Sequence, residues 1–135
     1  MNVLLEFALE HQYQDDPQGI HIPVRLSTAE QKVELLAKVD TGAACCIFER
    51  RYAELLGLEV ESGRPQRIRT VTGEFDTYGH EVTLETFGIQ FSSVVYFARL
   101  PEFNRNFVGR DGWLTKLRIA LVDYDRQIHL SPYDQ

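Results

Sequence analysis

The stretch from Leu35 to Phe48 sets Asp40 and Gly42 between two apolar segments, Leu35-Leu36-Ala37-Lys38-Val39 and Ala43-Ala44-Cys45-Cys46-Ile47-Phe48. A buried strand, a tight loop and a second strand would have this pattern, and an aspartate is costly there. A carboxylate removed from water must be paired, hydrogen-bonded or held neutral, so Asp40 is either well satisfied or functional. A carboxylate of that kind suits acid-base work. Around it, Ile20 to Leu26 alternates with Ile20, Ile22, Val24 and Leu26 on one face, while Pro23 on the other face predicts a strand with one free edge.

Val39-Asp40-Thr41-Gly42-Ala43 resembles the active-site loop of aspartic peptidases, an apolar pair followed by Asp-Thr/Ser-Gly-Ala/Ser/Thr. Further on, Phe107-Val108-Gly109-Arg110-Asp111 resembles the apolar-apolar-Gly-Arg-Asp/Asn segment of the retroviral-type, retropepsin-like members, which supports that loop and precedes a conserved helix. The resemblance covers roughly Ile20 to Leu130. It implies a mainly β, retropepsin-like acid-protease barrel with one or two short helices, spanning 1–135 as a single domain. Because the chain holds one such loop, it also implies a homodimer hydrolysing peptide or protein substrates without a cofactor.

Under this resemblance Asp40 is one member of a carboxylate dyad sharing a proton, and Thr41 hydrogen-bonds its counterpart across the dimer. Gly42 admits close approach of backbone and substrate. Ala43, Gly109, Arg110 and Asp111 complete and support the loop. Ala44 departs from the retroviral pattern, which has an acid there to meet the arginine, so Arg110 needs another partner and Asp111 is the candidate. Two β-rich runs between Ile68 and Gly79 surround a turn at Thr72-Gly73-Glu74, which resembles the family's substrate-covering flap and implies substrate contacts for those three residues.

The rest of the chain is plainer. Val3 to Glu10 reads as a strand or edge segment, Glu49 to Leu58 as a short amphipathic helix with Phe48, Tyr52, Leu55 and Leu56 inward, Arg50 and Arg51 solvated and Gly57 as its stop. His80 to Phe91 and Ser93 to Ala98 read as β-rich runs, and Leu117 to Leu130 as strand, turn and strand.

A formal net charge of −6, with basic residues scattered along the chain, argues against a nucleic-acid or anionic-membrane surface. No apolar window is long enough to span a membrane, and acids among Met1 to Glu10 do not fit a signal peptide, so the expected compartment is the cytoplasm. Cys45 and Cys46, neighbours on a strand, point to opposite faces and are expected as buried structural thiols. His11, His21, His80 and His129 lack metal-ligand spacing, so no metal is expected. A cysteine peptidase is disfavoured because Cys45 lacks a helix N-terminus or paired histidine. The alternative to an enzyme is a binding or regulatory module that keeps this fold without useful proteolysis.

Overall fold

A computed structural model describes residues 1–71 and 73–134. The chain runs through β1 (Leu9–Gln12), β2 (His21–Ser27), β3 (Lys32–Val39), β4 (Ile47–Phe48), α1 (Arg50–Leu55), β5 (Arg64–Thr70), β6 (Gly73–Thr86), β7 (Ile89–Ala98), β8 (Phe107–Val108), β9 (Leu117–Val122) and β10 (Gln127–Pro132). The large sheet has the order β2-β3-β8-β4-β7-β6-β5, and β2 also pairs with β6, which closes all but β5 into a barrel. β6 makes that closure possible. Its first half, Gly73 to Gly79, pairs with β5, and its second half turns the same edge to β2 at Thr83, Leu84 and Glu85. The β5–β6 hairpin therefore projects from the barrel as an extension of one of its own strands.

Alternation in the sequence explains what lies inside. Ile22, Val24 and Leu26 of β2 and Leu35 and Ala37 of β3 are buried, joined by Phe48, Val82, Leu84, Val95, Phe97, Val108 and Trp113. Pairing of β2 with β6 begins only at Arg25, so Pro23, which has no N–H to donate, sits where β2 needs a partner on one side alone. A smaller sheet, β1-β10-β9, contributes Ile128 and Leu130 to the same core. Among the described residues no helix is long and apolar enough to cross a membrane.

Five local expectations need correction. The first strand begins at Leu9, where its pairing with Leu130 of β10 starts, and Val3, Leu4 and Leu5 are exposed. Around α1, Phe48 and Leu56 are buried and Tyr52 packs against the core as expected, but Leu55 is exposed and Ala53 takes the buried position instead. The helix ends where expected: Gly57 has φ +76°, and the N–H groups of Gly57 and Leu58 donate to Glu54 and Ala53 carbonyls in a Schellman arrangement. Arg50 is not simply solvated, since it pairs with Glu61 at 2.6 Å and donates to the Arg99 carbonyl. The run from His80 to Phe91 is broken by a two-residue turn in which Phe87 and Gly88 both have positive φ (49° and 84°). After Asp111 the described residues form no α-helix, only the 3-10 turns Leu114–Lys116 and Asp123–Asp125.

Candidate active site

Parallel pairing brings the two motifs together. Lys38 and Val39 at the end of β3 lie beside Phe107 and Val108 of β8, so the next residues along each strand are Asp40 and Gly109. The Asp40 N–H donates to the Val108 carbonyl at 2.9 Å, which continues the ladder into the loop. Gly42 N–H then donates to Asp40 Oδ1 at 3.0 Å, and Ala43 N–H to the Asp40 carbonyl at 3.2 Å. One carboxylate oxygen is thus held by main chain, while Oδ2 has no hydrogen-bond partner among the described residues.

Residues 109–111 clamp the far side of the loop through their backbone. Arg110 and Asp111 N–H groups donate to the Ala43 and Ala44 carbonyls, each at 2.9 Å. Gly109 is buried so tightly that an added Cβ would lie 2.5 Å from the Cys45 carbonyl and 2.6 Å from that of Ala43, closer than van der Waals contact permits. Side chains play little part. Arg110 and Asp111 are exposed, and among the described residues neither forms an ion pair, with each other or elsewhere. Thr41 and Gly42 are also exposed.

Asp40 lies on the wall of a cleft of about 930 Å³. Because strand side chains alternate, Leu36, Lys38 and Asp40 share the outward face of β3, and all three line it. The hairpin contributes Arg67 to Val71, and Arg105 to Phe107 line it beside the end of β3. Of the flap residues expected from sequence, Thr72 lies outside the described residues, and Gly73 and Glu74 do not line the cleft. Glu74 instead pairs with Arg69 at 2.8 Å and with Arg67 at 3.5 Å. Leu36 and Lys38 could have been found by counting back in twos from Asp40; Arg67 and Arg105 carry no such signal.

The cysteines divide between the two faces as alternation requires. Cys46 is fully buried, and burial pushes its thiol up to about 12 even though the Gly109 N–H faces its sulfur at 3.5 Å. Cys45 is not buried as expected but lines the cleft half-exposed; its thiol is also raised, first by burial and then by the Asp111 charge. A protonated thiol is a poor nucleophile, which argues against hydrolytic chemistry at Cys45 and leaves Asp40 as the carboxylate of the cleft among the described residues.

Comparison with known proteins agrees with that chemistry. The sequence model of a family described as aspartyl protease matches residues 22–97, more than half of the 135, including the Asp40 loop and the β5–β6 hairpin. A retropepsin-like aspartic protease from Rickettsia conorii superposes with a TM-score of 0.60 at 14% identity, over 90% of this chain and 98% of that one. EIAV protease complexed with the inhibitor HBY-793 superposes with a TM-score of 0.52 at 20% identity, over 78% of this chain and 88% of that one. No curated protein matches the sequence significantly. Fold and site together define an aspartic-type peptidase with retropepsin-like architecture. The chain belongs to the aspartyl protease family.

Proposed function

We propose that the chain acts as a homodimeric aspartic endopeptidase in which the Asp40 carboxylates of two protomers activate a water for attack on a peptide carbonyl. The observation that carries this reading is Asp40 itself, anchored at Oδ1, open at Oδ2 and facing a cleft with no second carboxylate along its lining among the described residues. Hydrolysis needs a base to take a proton from water and an acid to protonate the leaving nitrogen. One carboxylate cannot hold both states at once. Two of them a few ångströms apart share a proton, because like charges at that distance do not both ionise.

In the resulting cycle the ionised Asp40 takes a proton as water adds to the carbonyl carbon, and the protonated one stabilises the carbonyl oxygen. The tetrahedral adduct collapses when a carboxyl proton passes to the amide nitrogen and the C–N bond breaks. Free acid and amine leave, with no covalent enzyme intermediate. Thr41 and Gly42, exposed at the tip of the loop, are free to meet the same residues of a second copy. Substrate would bind extended, since β5 ends its sheet and its outer main-chain groups, in the part that lines the cleft, can pair with a peptide strand. The two free thiols favour a reducing, cytoplasmic setting.

Fluorogenic-peptide hydrolysis, run beside sedimentation over a dilution series, tests both parts. Specific activity should fall as the dimer dissociates, and Asp40→Asn should lose about a hundredfold or more in kcat while sedimenting as the wild type does. Activity that follows the monomer, or an Asp40→Asn variant with undiminished turnover, overturns the proposal.

A further inference from the structure

The protein is acidic overall, with a formal net charge of −6, yet its cleft is basic. Lys38, Arg67, Arg69 and Arg105 line it, against Asp40 as the lining carboxylate. Two of these cations are already compensated. Arg67 pairs with Asp76 at 3.2 Å, and Arg69 with Glu74 at 2.8 Å. Among the described residues Lys38 and Arg105 have no carboxylate partner.

These two make uncharged contacts instead. The Lys38 stem lies across Gly19, where a Cβ would come within 2.7 Å of its Cε, so the missing side chain at Gly19 makes room for the lysine. Arg105 sets its guanidinium 5.7 Å from the centre of the Phe103 ring, and that ring stacks on Phe75 at 4.7 Å. The strands bring them to the same stretch of cleft. Lys38 N–H donates to the Asn106 carbonyl at 2.9 Å, one residue from Arg105. Lys38 is two residues before Asp40 on the same strand face, about 7 Å away by strand rise. A peptide whose scissile carbonyl sits at Asp40 would bring the adjoining side chain to this pair.

We propose that Lys38 and Arg105 make the cleft selective for peptides with a carboxylate side chain, Glu or Asp, next to the scissile bond. This rests on the proteolytic reading above and names its substrate class. The acidic remainder of the surface would repel such peptides at long range, so recognition is local, made in the cleft that the two cations line. In a symmetric dimer each protomer supplies the pair, and the preference applies on either side of the cleaved bond.

The test uses matched peptides that differ only by Glu or Gln at the positions flanking the cleaved bond. The kcat/KM ratio of Glu to Gln should be about tenfold or more at low salt, as expected for charge-assisted hydrogen bonds, and should shrink as salt is raised. Lys38→Met and Arg105→Gln should each lower that ratio severalfold, and Lys38→Glu should drive it below one. A wild-type ratio of one or less overturns the inference while leaving proteolysis intact. Should no peptide be cleaved, binding of the same labelled pair to Asp40→Asn protein decides it: tighter binding of the Glu peptide, lost in Lys38→Glu, supports an acid-selective cleft, and equal binding refutes it.

Discussion

Gly109→Ala probes the clamp that positions Asp40. The added Cβ would stand 2.5 Å from the Cys45 carbonyl, 2.6 Å from the Ala43 carbonyl and 2.9 Å from Ala43 Cβ. The first two neighbours are backbone and cannot rotate away, so the 109–111 segment or the active-site loop must move. Overpacking of this kind costs about 1–3 kcal/mol. Any separation also stretches the two 2.9 Å bonds from Arg110 and Asp111 to Ala43 and Ala44. Each contributes about 1 kcal/mol net, so a total near 3 kcal/mol is expected. With an unfolding entropy of about 2 cal/mol/K per residue, that corresponds to a fall in Tm of roughly 10 °C.

Trp113, the only tryptophan, is fully buried four residues away, which makes its emission a direct reporter of unfolding. Wild type and variant should be compared at one protein concentration, because dimerisation would shift the midpoint. Gly42→Ala is the matched control: its Cβ would meet only Asp40 Oδ1, at 3.4 Å, and its Tm should move little. Equal midpoints and equal hydrolysis rates in Gly109→Ala and wild type would refute the clamp.

Further expectations concern the loop tip, the thiols and the phenol. Thr41→Ala should leave the monomer's stability unchanged, since Thr41 is exposed, but weaken self-association about tenfold in sedimentation if the hydroxyl is bonded across the dimer. At neutral pH Cys46 should resist alkylation in the native protein and Cys45 should react slowly, with both modified after unfolding; mass spectrometry of iodoacetamide-treated protein reads this out. Burial, reinforced by a hydrogen bond to Asp123, pushes the Tyr13 phenol up to about 12. Because the unfolded phenol ionises first, near 10, the stabilising effect is complete below that pH and is lost as pH rises toward 12. Tyr13→Phe should flatten this alkaline decline in denaturation curves.

The parts of the fold legible in the sequence were those governed by alternation and by residues with one dominant conformational use. Ile22, Val24 and Leu26 announce a one-sided strand, and Gly57 closes α1 because a left-handed residue is needed there. The turn at Phe87-Gly88 was hidden because a phenylalanine at φ 49° is not a turn former, and only the pairing of β6 with β7 forces it there. Spacing alone turns Leu55 inward, but a helix of a turn and a half presents too few residues for periodicity to fix its face; Ala53, small enough to lie against the barrel, takes the buried position.

The site shows the same division more sharply. Asp40 and Gly109 each stand in a motif, yet what brings them side by side is the parallel register of β3 and β8, and such a long-range pairing leaves no periodic trace in either segment. The basic residues are scattered along the chain, and in a protein of net charge −6 they suggest no binding surface. Folding sorts them by partner. Arg25 and Arg50 pair with Glu34 and Glu61, Arg67 and Arg69 spend their charge on the hairpin's own acids, and Lys38 and Arg105 remain beside Asp40 without a carboxylate among the described residues. Charge composition reports the sum, whereas any ligand in the cleft would meet the remainder after internal pairing, and around Asp40 that remainder has the opposite sign.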